Sequence, residues 1–469
     1  MSVSRDRLAR IILAGMNDIE EWRLGDPALA AAKGYPREYP AEIIDDWGIV
    51  FVDVTLDARS GSVVCHEVNG PNAVGSDALT GDSVPRAANE AAQAIRRAKE
   101  LGHLGEDGRL ARQVVTIHAH QHWPFFRTGG EFYPRVAAFA DCLAVALPGQ
   151  TVACQAAGDA LGEEQVSVVM GDVPSIAANV TVDPGTRAFR YRGRPVVFVG
   201  NPNLLSELIR TGKFAREDRD AAHPALRVFH AWRLSGLIHD KARQQDLFDE
   251  TGIRPLAHFT ATSVDDALAR TRRMLARHPV VLKPSDTSGG CGVTVVVPGM
   301  SDAEILERIE SLLAECRAKY GDNSDAMILP LRGFEFVRST GYPLDDGEHL
   351  WDLRIAVLFE PGRASCYPVT LRLTPDPFDP DRFHLDKRQW VSNVSGRRET
   401  LLKSGMDDAV LAAVGLTDAL MENAMLACAR WTSKAWDCLA RGGGKAGTVF
   451  EDSREEVGQP FYKGETFKV

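Results

Sequence analysis

The chain has 469 residues and a mass of 51.2 kDa, room for about three domains at roughly 150 residues each. Hydrophobic residues make up 44% and charged residues 25%, which excludes disorder, a fibrous repeat and a disulfide-stapled mini-protein. A net charge of −10 argues against a nucleic acid or an anionic membrane as partner of the whole surface.

Arg5, Arg7 and Arg10 precede only a short apolar run, Ile11 to Met16, and acids follow at once, so a secretory signal is not expected. No run approaches the length of a membrane span. The cysteines are scattered without a C-x-x-C pair, which fits buried thiols and a cytoplasmic location.

Residues 4–22 read as a helix. Val50 to Leu56 alternates as a strand, Asp57 to Gly61 is a turn, and Ser62 to Asn69 is a second strand. The result is a β-hairpin with an acidic residue on each arm. Helix 86–101 stops at Gly102, strand 114–117 opens an α/β unit, and helix 133–147 follows. Residues 187–200 read as a hairpin, followed by helices near 203–211, 225–237 and 240–251. Helix 264–277 leads into strand 279–283, a Gly-rich turn and strand 293–297. Helix 302–319 then precedes strand 326–329. Strands 352–359 and 366–373 are joined by a turn, and a long helical stretch covers about 407–440. The tail from Arg441 is expected to be loose.

The most informative segment is Lys283-Pro284-Ser285-Asp286-Thr287-Ser288-Gly289-Gly290-Cys291-Gly292. Glycines let backbone N–H groups approach phosphate oxygens, hydroxyls add donors, and Lys283 supplies countercharge. It is neither a Walker loop nor a dinucleotide fingerprint, because no G-K-[ST] follows and the turn leads to a strand. An ordinary glycine-rich hairpin would carry the same residues. The second segment is the acidic hairpin. Glu67 and Asn69, two residues apart on one arm, share one face, and Asp53 lies on the other arm. Two carboxylates and an amide oxygen make a hard, oxygen-only set suited to Mg²⁺ against phosphates, the alternative being an edge hairpin with solvated acids.

Taken together, these strings resemble the ATP-grasp superfamily. The Lys283 loop resembles its phosphate-covering loop. FVDVTLDARSGSVVCHEVNGPN resembles its metal-binding strand pair, Asp352-Leu353-Arg354 its D-[IL]-R strand, and Asp240-Lys241 with Thr251-Gly252-Ile253 the element opening its nucleotide half. The order is unusual, because the E-V-N hairpin ordinarily lies near the C-terminus. The resemblance therefore implies a circularly permuted ATP-grasp fold of mixed α/β class. Its segments would be 1–82 (metal-binding hairpin), 83–234 (α/β substrate domain), 235–325 (nucleotide lid), 326–440 (main subdomain) and 441–469 (tail).

Carried over residue by residue, the resemblance implies nucleotide contacts from Lys241, Lys283, Ser285, Ser288, Gly289 and Gly290. It implies Mg²⁺ on Asp53, Glu67 and Asn69, and catalytic support from Lys283, Arg354 and Arg372. Glu335 is the leading candidate for the ribose, since the family's Q-E-[FY] string is absent here, and Asn393 would reach the metal site or substrate. The implied reaction joins a small-molecule carboxylate, of an amino acid or peptide, to an amine, through an acyl phosphate made from ATP. A competing signal is Ile117-His118-Ala119-His120-Gln121-His122, an H-x-H at a strand end. It is read as a metal-dependent hydrolase centre or, with Arg127, as a substrate-contacting loop. A non-catalytic nucleotide-binding protein is the third reading. The oligomeric state, a homo-oligomer included, stays open.

Overall fold

The computed structural model describes residues 27–44, 48–69, 88, 91–96, 113–120, 134–200, 203–214, 227–228, 234, 237–238, 241–284, 292–320, 330–392 and 401–441. The protein is of mixed α/β class. The described residues of Leu29–Val74 and Leu234–Val469 form one compact unit, and those of Gly75–Arg233 another.

In chain order the elements are α1 (Pro27–Ala32), β1 (Arg37–Ala41), β2 (Gly48–Leu56), β3 (Val63–Asn69), β4 (Val114–His120), α2 (Pro134–Ala146), β5 (Val152–Ala156) and β6 (Val166–Asp172). Then come α3 (Val173–Ala178), β7 (Val180–Val182), β8 (Phe189–Tyr191), β9 (Arg194–Val199), α4 (Asn203–Arg210), β10 (Arg227–Val228), α5 (Lys241–Asp246), β11 (His258–Ala261), α6 (Val264–Leu275) and β12 (Val280–Pro284). The chain continues through β13 (Thr294–Val296), α7 (Asp302–Tyr320), β14 (Leu331–Glu335), β15 (Tyr342–Leu344), β16 (Gly347–His349), β17 (Trp351–Glu360) and β18 (Gly362–Leu373). It closes with β19 (Leu401–Ser404), α8 (Asp408–Ala413) and α9 (Asp418–Arg441).

The unit from Gly75–Arg233 carries a sheet in the order β5-β6-β4-β9-β8-β7, with β10 also pairing β9. Strands β5, β6, β4, β9 and β10 run parallel, and β8 and β7 are antiparallel additions. Ile117, Val169, Phe189, Val199 and Leu204 share its buried core. Near its start, the expected helix over 225–237 gives way to a strand. Arg227 and Val228 pair in parallel with Phe198 and Val199, because the open side of β9 offers two unsatisfied backbone positions.

The other unit holds two further sheets. The first has the order β1-β18-β17-β2-β3, with β19 paired to β18, and every pairing is antiparallel. Strand β2 is buried at every position, which explains its nearly continuous apolar run. The long helix α9 covers one face of this sheet. Trp431 stacks on Phe248 and Trp436 packs on Phe359, each with ring centroids 5.8 Å apart. The second sheet has the order β11-β14-β12-β13. Val280, Leu282, Val296 and Leu331 pack with Ile305 and Ile309 of α7.

Strand β14 runs through the middle of the sheet that holds β12 and β13. Its arginine, glycine and glutamate hid it from a propensity reading. Two expectations are corrected. The stretch 407–440 is two helices. Asp407 caps α8 by accepting from the Ala409 N–H at 2.8 Å, and Gly415, at φ +76°, ends it before α9 starts. Helix 240–251 stops at Asp246 and continues only as turns. Helix 4–22, strand 326–329 and the tail beyond 441 lie outside the described residues. No described helix is long and apolar enough to cross a membrane.

Gly292 returns the chain into β13 at φ +64°. A Cβ there would collide with Cys316 Sγ of α7 and stand 2.9 Å from Pro284 Cγ. Gly292→Ala is therefore expected to cost about 1–3 kcal/mol, from overpacking and a left-handed backbone together. Urea denaturation of the two proteins measures it, and an unchanged midpoint would refute the packing assignment.

Candidate functional site

The site is a row of side chains crossing the first sheet on the face opposite α9. Register builds it. Arg354 on β17 stands opposite Asp53 on β2, Asp53 stands opposite Glu67 on β3, and Asp352 stands opposite Arg372 on β18. Residues two apart on one strand share a face, so Asp352 joins Arg354, and Asn69 joins Glu67.

Asp53 is buried and fully engaged. Arg354 donates to both of its oxygens, from Nε at 2.8 Å and from Nη2 at 2.9 Å. Arg372 Nη2 lies 2.9 Å from Oδ2, and Asn69 Nδ2 donates to the same oxygen at 2.8 Å. Burial pushes the Asp53 carboxyl up, but the two guanidinium charges outweigh it and hold the group below the usual carboxylate range. Arg372 is shared: its Nε and Nη2 both lie 2.6 Å from Asp352 Oδ1. Burial raises the Asp352 carboxyl, the neighbouring Asp53 charge adds to that, and the opposing pull of Arg372 does not cancel them. Ser392 donates to the other Asp352 oxygen.

The second half of the row is more open. Glu67, 23% exposed, accepts from Lys241 of α5 and from Asn69 Nδ2 at 3.3 Å. Burial would raise its carboxyl, but Lys241 and Lys283 hold it well below the ordinary range. Lys283 projects from β12, its ammonium 5.7 Å from the centre of the Phe334 ring. Burial lowers its affinity for the proton and Lys241 adds to this, while Glu67 and Asp53 oppose; the net direction is down.

Two features of β3 were invisible in the sequence. The first is a bulge. Val54 pairs with Cys65 but Asp53 with Glu67, so His66 is one residue too many. Val64 faces Leu256 and Phe334, toward the second sheet. Counting on from it, the extra residue brings His66 and Glu67 onto that same side. His66 is half-buried, and burial together with the Lys283 charge lowers its imidazole to about 4. The second is a clamp from α5. Gln244 accepts from the Val68 N–H and donates to the Val68 carbonyl, both at 2.8 Å, as a neighbouring strand would. Gln245 donates to the Cys65 carbonyl at 3.2 Å. Both glutamines are fully buried, so this edge of the sheet is satisfied by side chains.

Of the residues singled out from sequence, the structure gathers Asp53, Glu67, Asn69, Lys241, Lys283, Arg354 and Arg372. It does not bring Glu335 to them. That side chain accepts from Arg254 and from the Ala257 N–H at 3.3 Å, and its other oxygen lies 3.5 Å from His278 Nδ1. His118 lies in the other unit, its ring 4.4 Å from Phe139 and 5.9 Å from Phe198. Ser285, Ser288, Gly289, Gly290, Asn393, Arg127 and the His120 side chain lie outside what is described. Asp352, Gln244, Gln245 and His66 were missed as site residues. Only Asp352 had a signal, as the first residue of the D-L-R string.

Among the described residues no group of three or more His, Cys, Asp and Glu is gathered to hold a metal ion. The donor set nevertheless fits a hard cation shared with a ligand. The Asn69 amide points its hydrogens at both Asp53 and Glu67, so the place between the two carboxylates is one where positive charge is favoured.

No family model matches the chain, and no curated protein matches it. It is similar to a glutathione synthetase-like effector from Globodera pallida, with 10% identity over 79% of this chain and 83% of that one, TM-score 0.34. D-alanyl-alanine synthetase A from Vibrio cholerae shares 11% identity over 70% and 81%, TM-score 0.35. The ATP-grasp ligase PsnB, complexed with minimal precursor, shares 13% over 66% and 99%, TM-score 0.27. At these scores the likenesses add nothing to the geometry.

Asp53→Asn would leave two buried guanidiniums without their shared anion, which costs about 3–5 kcal/mol for a buried pair broken on one side. Glu67→Gln, on the open side, is expected to cost far less. Denaturant midpoints of the two variants check the order, and equal midpoints would contradict the division of the row into a structural and an open half.

Proposed function

We propose that the chain is a circularly permuted ATP-grasp enzyme, an ATP-dependent ligase that joins a small-molecule carboxylate to an amine through an acyl phosphate. One observation carries this reading. An N-terminal hairpin is registered into the sheet of the D-L-R strand so that Asp53 meets Arg354, while Glu67 and Lys283 share one electrostatic environment. These are the groups that phosphoryl transfer needs: cations for the phosphates and carboxylates for a divalent ion.

In this reading Lys283 and Lys241 bind the phosphates, with Lys241 turning from Glu67 toward the nucleotide. Glu67, Asn69 and Asp53 would hold Mg²⁺, which supplies charge neutralisation along the polyphosphate. Arg372 and Arg354, locked by Asp53 and Asp352, orient the transferred phosphoryl group and the substrate carboxylate. Transfer of the γ-phosphoryl to that carboxylate breaks its bond to the β-phosphate, releasing ADP, and gives the acyl phosphate. Attack by the amine nitrogen on its carbonyl carbon then releases inorganic phosphate and a proton. Catalysis of this kind rests on positioning and fixed charge, and no side-chain nucleophile is required. The Ser285–Gly292 segment would exclude water from the acyl phosphate.

A thermal-shift titration tests the reading. ATP with Mg²⁺ at about 100 times the dissociation constant should stabilise the wild type by about 2.7 kcal/mol. Glu67→Gln should lose the Mg²⁺-dependent part and keep the fold. A Mg²⁺-dependent shift of the same size in that variant would sink the metal assignment.

The pH dependence is a second test. A lysine whose proton affinity is lowered loses its charge at a lower pH than a free lysine, and only the charged form attracts phosphate. ATP affinity should therefore fall as pH rises, beginning below the ordinary lysine range. Lys283→Arg should flatten the profile, because guanidinium stays charged. A wild-type profile as flat as that of the arginine variant would remove Lys283 from the phosphate site.

A further inference from the structure

Strand β3 is the edge of the first sheet, with β2 on one side and, among the described residues, no further strand of that sheet on the other. Its outer side is nevertheless closed. The Arg254 N–H donates to the Val63 carbonyl at 3.1 Å. Gln245 reaches the Cys65 carbonyl, and Gln244 takes both polar groups of Val68. Val68 stands between Glu67 and Asn69, the two residues of β3 that would hold Mg²⁺ in the ATP-dependent reading. Its N–H belongs to the peptide that joins it to Glu67, and its carbonyl to the peptide that joins it to Asn69. A single buried amide therefore fixes the two peptide planes that set the direction of the Glu67 and Asn69 side chains.

Gln244 is itself held at both ends. Its side-chain nitrogen also donates to the Ile238 carbonyl, and its backbone carbonyl accepts from Trp431 Nε1 of α9 at 3.0 Å. Three residues before it, on the same side of α5, is Lys241, ion-paired to Glu67. One turn of helix thus carries the cation that neutralises Glu67 and the amide that fixes the Glu67 backbone. The two attachments differ in what a ligand does to them. The Lys241–Glu67 pair is about a fifth exposed and opens to an incoming anion, whereas Gln244 is fully buried and its bonds stay. Water satisfies many edge strands, but it leaves their peptide planes free to turn; an amide bonded to both planes does not.

We propose that Gln244 is a positioning residue for the divalent-cation site, one that keeps Glu67 and Asn69 at ligand spacing once Lys241 has left Glu67 for phosphate. The inference rests on the ATP-dependent reading. Gln244 touches neither nucleotide nor ion and acts through Val68. Groups that orient metal ligands without binding the metal set its affinity by roughly 10–100-fold. The role needs an amide, which donates and accepts at one end of the side chain. A methionine of similar volume would leave both Val68 groups unpaired in a buried place.

The test is calorimetric titration of the full chain with ATP, in EDTA and in excess Mg²⁺, for wild type and Gln244→Met. The quantity read is the ratio of the two ATP affinities, and a thermal melt without ligand reports whether the fold is intact. Gln244→Met should lower the ratio about tenfold, or to one where the wild-type ratio is smaller. A ratio equal to that of the wild type, even beside a lower melting temperature, would make the clamp structural only and overturn the proposal. Hydrogen exchange of the wild type carries the test should the variant not fold. The Val68 amide should stay as protected with ATP and Mg²⁺ as without them, and loss of its protection on binding would overturn the proposal. A wild type that binds ATP with no help from Mg²⁺ would overturn the cation site on β3 and this inference with it. One that binds no ATP would overturn the ATP-dependent reading itself.

Discussion

A single buried carboxylate holds the first sheet and the candidate site together. Asp53 sits at the centre of β2, and the guanidiniums of Arg354 and Arg372 close on it from β17 and β18. Buried arginines without an anion are far costlier than the pair is favourable. The position of β2 between β17 and β3 is therefore dictated by charge as well as by apolar burial. A one-residue slip would turn Asp53 toward α9 and strand both arginines. The site is thus a condition of the register, and the register is a condition of the site.

Bulges give the row its width. In β3 the extra residue at His66 lets two consecutive side chains face the second sheet, which regular alternation forbids. In β18 the pairing slips by one between Thr370 and Pro368, so Val369 is the extra residue there. Gly405 packs against it so closely that a Cβ would stand 2.9 Å from the Val369 carbonyl carbon and 3.0 Å from the Thr370 nitrogen. Both irregularities lie within a few residues of charged site groups, where a change of strand twist re-aims side chains without changing the sheet order.

What could be read in advance followed from local spacing. The alternation of Val50 to Leu56, the shared face of Glu67 and Asn69, and the strand ending at Lys283 need only neighbours along the chain. What stayed hidden depends on partners far away. Gln244 looks like a solvent-facing residue of a short polar helix, KARQQD, until the open edge of β3 is brought beside it. Asp352 was visible only as part of a string, because its bond to Arg372 crosses a hairpin and its bond to Ser392 comes from a later segment. Strand β14 carries Arg332, Gly333 and Glu335 in five residues, a composition that argues against a strand unless burial and cross-strand partners decide otherwise. Arg227 and Val228 show the same override in miniature, taken from an expected helix by the free side of β9.

The distribution of charge gives the site a direction. Lys241, Lys283, Arg354 and Arg372 gather around Asp53, Glu67 and Asp352, within a chain whose net charge is −10. Arg372 and Arg354 are rigidly paired, with short bonds to carboxylates that are themselves buried. Lys241 and Glu67 are about a fifth exposed, and theirs is the ion pair that a ligand can open at least cost. On the proposed reading, a polyanion entering from the Lys283 side would meet the lysines before the locked arginines. Exchange of the Lys241–Glu67 pair for phosphate would then free Glu67, one of the residues proposed to hold the divalent cation. Entry of the anion and creation of the cation site would be one event, because each would remove the charge that opposes the other.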